Sequence, residues 1–152
     1  MRNEHGAGIG VLRATVLVSL AALVPMLATG CAASKAKPSD LDYSKTRTSQ
    51  NGMFKVAVAP ASDPIPLNRI HTWQVHVEDP GGLPITEANI TVDGGMPEHG
   101  HGLPTKPLVR QNLGNGSYLV EGMKFQMHGW WVVTFVISAG GKNDTVTFNL
   151  RL

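Results

Sequence analysis

The sequence predicts an all-β fold, an immunoglobulin-like β-sandwich of about seven strands preceded by a signal peptide and a flexible tether. Three observations carry this expectation. Beyond the first forty residues, no window long enough for a helix combines helical apolar spacing with capping residues. Short β-branched runs recur instead, one of them strictly alternating. Clusters of Gly, Pro, Asn and Asp separate them about every ten residues. Cys31 is the only cysteine, so the Cys-Trp-Cys pattern of antibody domains is absent and the expectation concerns architecture alone.

The leader comes first. Arg2 and Arg13 precede an apolar run, Ala14 to Leu27, broken only by Ser19 and Pro25. As a helix it would span about 21 Å, short of a hydrocarbon core of about 30 Å but the size of a signal-peptide apolar region. It ends in Leu27-Ala-Thr-Gly-Cys31. That ending resembles the lipobox of bacterial lipoprotein precursors, which implies that residues 1–30 are removed and that Cys31 is lipidated. A secreted domain with one cysteine can form no internal disulfide, and a lipid would consume that lone thiol. Two or more acyl chains hold a protein on a membrane durably, where one does not. Residues 31–50 are polar and contain Pro38, and they read as a tether. The expected location is therefore extracytoplasmic and membrane-anchored, in the periplasm or at the cell surface.

The domain proper is expected over residues 51–152. Met53 to Ala59 is a first strand, closed by Pro60. Ile70 to Val77 alternates, with His71, Trp73, Val75 and Val77 on one face. Asp79-Pro-Gly-Gly82 is a turn, and Ala88 to Val92 is a third strand. A loop rich in Gly and Pro runs from Asp93 to Pro107. Leu108 to Leu113 and Ser117 to Glu121 flank Gly114-Asn-Gly116, a hairpin signature because Asn and Gly tolerate positive φ. Trp131 to Ile137 and Thr145 to Leu150 flank a second hairpin turn.

Charge excludes some partners. The chain carries 13 Lys and Arg against 11 Asp and Glu, and losing Arg2, Arg13 and Glu4 with the leader leaves near neutrality. No basic run exists, so nucleic acid is not an expected partner and anionic lipid surfaces are poor candidates.

Two stretches carry chemistry: Met96-Pro-Glu-His-Gly-His-Gly102 and Met123-Lys-Phe-Gln-Met-His-Gly-Trp-Trp131. Thioether sulfur suits Cu(I), and imidazole suits Cu(II), zinc and similar ions. A His-x-His pair between glycines lets the ring nitrogens of His99 and His101 converge, with Met96 near enough to join. If the strand from Ser117 continues to Met127, then Met123, Phe125 and Met127 point one way and His128 the other. Met123 reads as core packing; Met127 fits packing or ligation. Glu98 is either an orienting partner for an imidazole or a solvated carboxylate. His71 and His76 read as structural. Trp130 and Trp131 point opposite ways in a strand, which sends one to the core and leaves the other to cover the loop.

Ile70-His-Thr-Trp-Gln-Val-His-Val, Gly95-Met-Pro-Glu-His-Gly-His-Gly-Leu-Pro-Thr, Gly122-Met-Lys-Phe-Gln-Met-His-Gly-Trp-Trp and Asp144-Thr-Val-Thr-Phe resemble, in this order, the YtkA-like domain family. The likeness covers about Met53 to Leu152. It implies a small secreted β-sandwich similar to FixH-like proteins linked to copper oxidase assembly. It points to Met96, His99, His101 and Met127 as copper ligands; His128 and Glu98, adjacent in sequence, are candidates for additional ligands or supporting groups on their residue type alone. No nucleophile with a base and no paired acid–base carboxylates stand out, so an enzyme is not expected. Two function classes fit. One is a lipid-anchored copper-binding protein, a chaperone for oxidase assembly or copper handling with a membrane-protein client. The other is a non-metal accessory domain that docks on a membrane complex through the Gly-rich loop and its Trp face.

Overall fold

Alternation in sequence becomes alternation in burial in the computed structural model, which describes residues 35–152. The leader and Cys31 lie outside the described residues. Nine strands form: β1 (Thr46–Thr48), β2 (Lys55–Pro60), β3 (His71–Glu78), β4 (Asn89–Met96), β5 (His101–Gly102), β6 (Leu108–Gly114), β7 (Ser117–Met123), β8 (Trp130–Ala139) and β9 (Lys142–Arg151). No helix occurs among the described residues. Seven of these strands are the expected ones; β1 and β5 are short additions.

Every strand pairing is antiparallel, in the order β1-β2-β3-β7-β6-β4-β8-β9, with β5 alongside β4. The sheet folds over at its weakest join, where β4 meets β6 through a single pair, Thr91 with Leu108. One layer contributes Val56, Trp73, Val75, Val77 and Val120 to the core, and the other contributes Val133, Phe135, Ile137, Val146 and Phe148. Period-2 alternation sends those side chains inward on each strand, and removing their apolar surface from water stabilises the layers against each other. This is the expected sandwich, drawn nearly into a closed sheet.

The two edge strands of the order, β1 and β9, are tied together by the segments that flank β1. Gln50 N–H donates to the Thr145 carbonyl (2.8 Å), and Asn149 Nδ2 donates to the Asp42 carbonyl (3.0 Å). The tether expected to run to residue 50 is therefore shorter, because β1 pairs with β2 and the chain is already part of the sheet at Thr46. Polar composition concealed this: β1 contributes backbone hydrogen bonds rather than apolar side chains, and backbone pairing leaves no hydropathy signal.

Asp144 locks the same seam. Its carboxylate is only 3% exposed. It accepts hydrogen bonds from Ser49 Oγ (2.6 Å), Asn51 N, Asn51 Nδ2 (2.9 Å), Met53 N and Thr145 N. Burial opposes ionisation, but the donors from Ser49, Thr145, Met53 and Asn51 outweigh it and hold the carboxyl at about 2 rather than the ordinary 3.8. A folded pKa below the unfolded one contributes stability that is complete above the ordinary value and fades as pH falls toward the folded one. Denaturant midpoints of the wild type should fall between about pH 4 and pH 2 partly through this group. Asp144→Asn should be less stable at neutral pH and should approach the wild type near pH 2; parallel curves at all pH values would remove the assignment.

Candidate functional site

The site end is built by a tight ribbon. β4 runs past the expected start of the loop at Asp93 and continues to Met96, then turns and returns as β5. Gly94 and Gly95 were read as loop residues by composition, yet both lie within a strand. A Cβ on Gly94 would meet the Val132 carbonyl, and one on Gly95 would meet the His101 carbonyl and the Gly102 Cα. These glycines permit close backbone approach, the other reason glycine occurs in strands. The turn is closed on the Met96 carbonyl, which accepts from His99 N (3.1 Å) and Gly100 N (2.9 Å). Gly100 takes φ of 66° there.

Met96 and His101 are register partners across β4 and β5. Directly opposed residues of an antiparallel pair project to the same face, so the thioether and the imidazole share one side of the ribbon. Met96 is buried, with its methyl group in the space that Gly129 leaves by lacking a side chain. His101 is half-buried and His99 exposed. Their rings lie 5.8 Å apart with planes 25° from parallel. Below them an aromatic series leads inward: His101 to Trp131 at 5.7 Å, Trp131 to Phe125 at 5.1 Å, and Phe125 to Trp73 at 6.2 Å. Trp131 is fully buried and donates from Nε1 to the Met127 carbonyl (3.0 Å). Trp130 is also buried and donates from Nε1 to Asn149 Oδ1 (3.0 Å), so Trp131 is the one that underlies the loop.

The structure thus places Met96, His99 and His101 on one ribbon. Met127 is next to them through its carbonyl, but its side chain is 39% exposed. The strand parity that paired it with Phe125 fails because β7 ends at Met123 and the chain turns before Gly129, where φ is 137°. Met123 and Phe125 are core residues, as expected for the first and by parity for the second. His128 is not part of the cluster; it lines a separate groove with Tyr43, Ile65, Leu67 and Leu152. Glu98 makes no hydrogen bond or ion pair with either imidazole among the described residues. It is not the group that orients His101.

That group is Gln126, which sequence reasoning missed. Its Nε2 lies 3.3 Å from His101 Nδ1, and the Gly102 carbonyl is also 3.3 Å from Nδ1. When Nδ1–H donates to Gly102, the lone pair of His101 is on Nε2 and directed away from the backbone. An ion at Nε2 would select this tautomer, and Gln126 would then have to turn its amide oxygen toward Nδ1–H. The only signal in sequence was position, a polar residue between Phe125 and Met127 in a stretch already rich in donors.

The donor set fits copper better than zinc. Among the described residues, no three His, Cys, Asp or Glu side chains are grouped to hold a metal, and the thioethers of Met96 and Met127 are the soft donors close to His99 and His101 in sequence and fold. Two imidazoles and a thioether form a soft set.

Comparison with known proteins agrees with the fold. Residues 48–136 match the family model described as YtkA-like. A crystal structure of a DUF4426 family protein from Pseudomonas aeruginosa is similar at a TM-score of 0.51 and 16% identity, over 72% of this chain and 96% of that one. The ZirS C-terminal domain aligns at a TM-score of 0.37 and 13% identity, over 82% of this chain and 90% of that one. No curated protein matches by sequence.

Proposed function

We propose that this chain, which belongs to the YtkA-like family, is a lipid-anchored extracytoplasmic protein that binds copper, for delivery to a membrane-bound client or for copper handling. The observation that carries this reading is the pairing of Met96 with His101 across β4 and β5, with His99 stacked on His101 at 5.8 Å. His101 and His99 are the ligands reached from solvent, Met96 is the thioether beneath them, and Met127 at the rim is an exchangeable fourth. A site with few and partly exposed ligands suits transfer rather than permanent storage. Thioether and imidazole ligands also remain usable in an oxidising compartment, where free thiols do not persist. The likeness to proteins linked to oxidase assembly supports an oxidase as client. The role is binding rather than catalysis, and Cys31 carries the anchor.

The test is a competition titration with Cu(I) and with Cu(II), comparing wild type with His99→Ala/His101→Ala. Trp131, 5.7 Å from His101, supplies a fluorescence readout. Wild type should bind more tightly than micromolar, and the double variant should lose on the order of a hundredfold in affinity, about 2.7 kcal/mol. Wild-type binding no stronger than that of buffer would remove the copper reading and leave the accessory interaction domain.

A further inference from the structure

The lysines and arginines form no run in sequence, yet the fold gathers several of them at one end. Asn68 N–H donates to the Phe125 carbonyl (2.7 Å) and Asn68 Nδ2 to the Gln126 carbonyl (3.3 Å), which places the segments carrying Arg69 and Lys124 at the same end. Thr105 Oγ1 donates to the Gly122 carbonyl (2.6 Å) and brings Lys106 to the same end. Arg151 arrives there as the register partner of Trp130. The chain enters the domain at this end too, because Lys35 N–H donates to the Pro97 carbonyl (2.8 Å). None of these five cations forms an ion pair among the described residues. At the opposite end the turns meet in a groove lined by Asp79, Glu87 and Lys142.

Apolar side chains stand exposed among the cations. Ile70 is 69% exposed and Met127 39% exposed. Leu108 is also exposed, and it lines a pocket with Ile70, Lys106, Arg110 and Glu121. Isolated exposed apolar residues are ordinary. Large apolar side chains beside Lys106 and Arg110, with Glu121 the one carboxylate in the pocket they line, at the end where the chain enters, form a more specific arrangement. Lys and Arg close to an anionic bilayer are attracted to its negative surface potential, and apolar tips can enter the headgroup layer.

We propose that this end of the sandwich rests directly on an anionic lipid surface, through Arg69, Lys106 and Lys124 with Ile70 and Leu108 inserted. This reverses the expectation from linear sequence that anionic lipid is a poor partner, because the basic face is assembled from separate turns. The inference stands independently of the copper reading. If both hold, the ribbon of Met96 to His101 faces the bilayer and any client embedded in it.

The experiment is hydrogen exchange followed by mass spectrometry on the full chain reconstituted in phosphatidylglycerol vesicles and, separately, in phosphatidylcholine vesicles. Exchange over residues 68–70 and 124–128 should slow on the order of tenfold on phosphatidylglycerol alone. The turn bearing Leu83 at the far end should not change. Arg69→Glu/Lys106→Glu, both at exposed positions, should abolish the protection while leaving the core amides as slow as in wild type. Equal rates on the two lipids would overturn the proposal, as would protection that survives the charge reversal. Protection at this end that appears only with an added acidic protein would also overturn it.

Discussion

Trp131→Ala should unfold with a loss of about 3–5 kcal/mol in a denaturant titration, the range for emptying a large buried aromatic site. Trp131 is wholly buried, touches Phe125 edge-on at 5.1 Å and His101 at 5.7 Å, and fixes the Met127 carbonyl with its indole N–H. Three consequences follow from one deletion: a cavity, an unpaired carbonyl and a histidine without its floor. Trp131→Phe keeps much of the volume but loses the donor, so it should cost less. It should nevertheless loosen the 124–129 turn, visible as faster amide exchange there. Equal stability of the Ala variant and wild type would mean that the aromatic series does not join the site to the core.

The second large effect is expected at a residue without a side chain. Gly95→Ala places a methyl group against the His101 carbonyl and the Gly102 Cα, both of them backbone. A flexible side chain could move aside, but a paired strand cannot without parting. The β4–β5 ribbon should therefore open, at about 1–3 kcal/mol for overpacking of a close-fitted position. Metal affinity should fall with it, because the pairing is what keeps Met96 and His101 on one face. Gly140→Ala provides the contrast. Gly140 has open space around it but φ of 54°, so it should show a small turn penalty and unchanged copper binding. A Gly95→Ala protein as stable as wild type and equal to it in affinity would show that the ribbon does not define the site.

The contrast between these glycines also explains what could be read from the linear chain. Strands such as His71–Glu78 were legible because alternate residues are apolar, and burial follows that alternation in Trp73, Val75 and Val77. The hairpin at Asn115 was legible because Gly114, Asn115 and Gly116 all take positive φ there. Gly94 and Gly95 were misread because glycine signals both loops and close approach, and only the neighbouring strands distinguish the two. β1 was missed for a related reason, since Thr46–Thr48 are held by backbone pairing and side-chain pattern carries no trace of it. At the site, residue type pointed to Met96, His99 and His101, and register brings the first and last together. The pairing of His101 with Gln126 spans 25 positions and has no local signature. His128 was a candidate through adjacency to Met127, but adjacent residues separate where the chain turns at Gly129.

The central claim is that one ion is shared by imidazole from His99 and His101 and sulfur from Met96. X-ray absorption at the copper edge, on protein loaded with one equivalent of Cu(I), tests it most directly. The account predicts nitrogen neighbours at about 2.0 Å and a sulfur neighbour at about 2.3 Å, the distances typical of such ligands at protein metal sites. The sulfur signal should be lost in Met96→Leu, which keeps the buried volume. A shell of nitrogen and oxygen alone in wild type, unchanged in Met96→Leu, would contradict it.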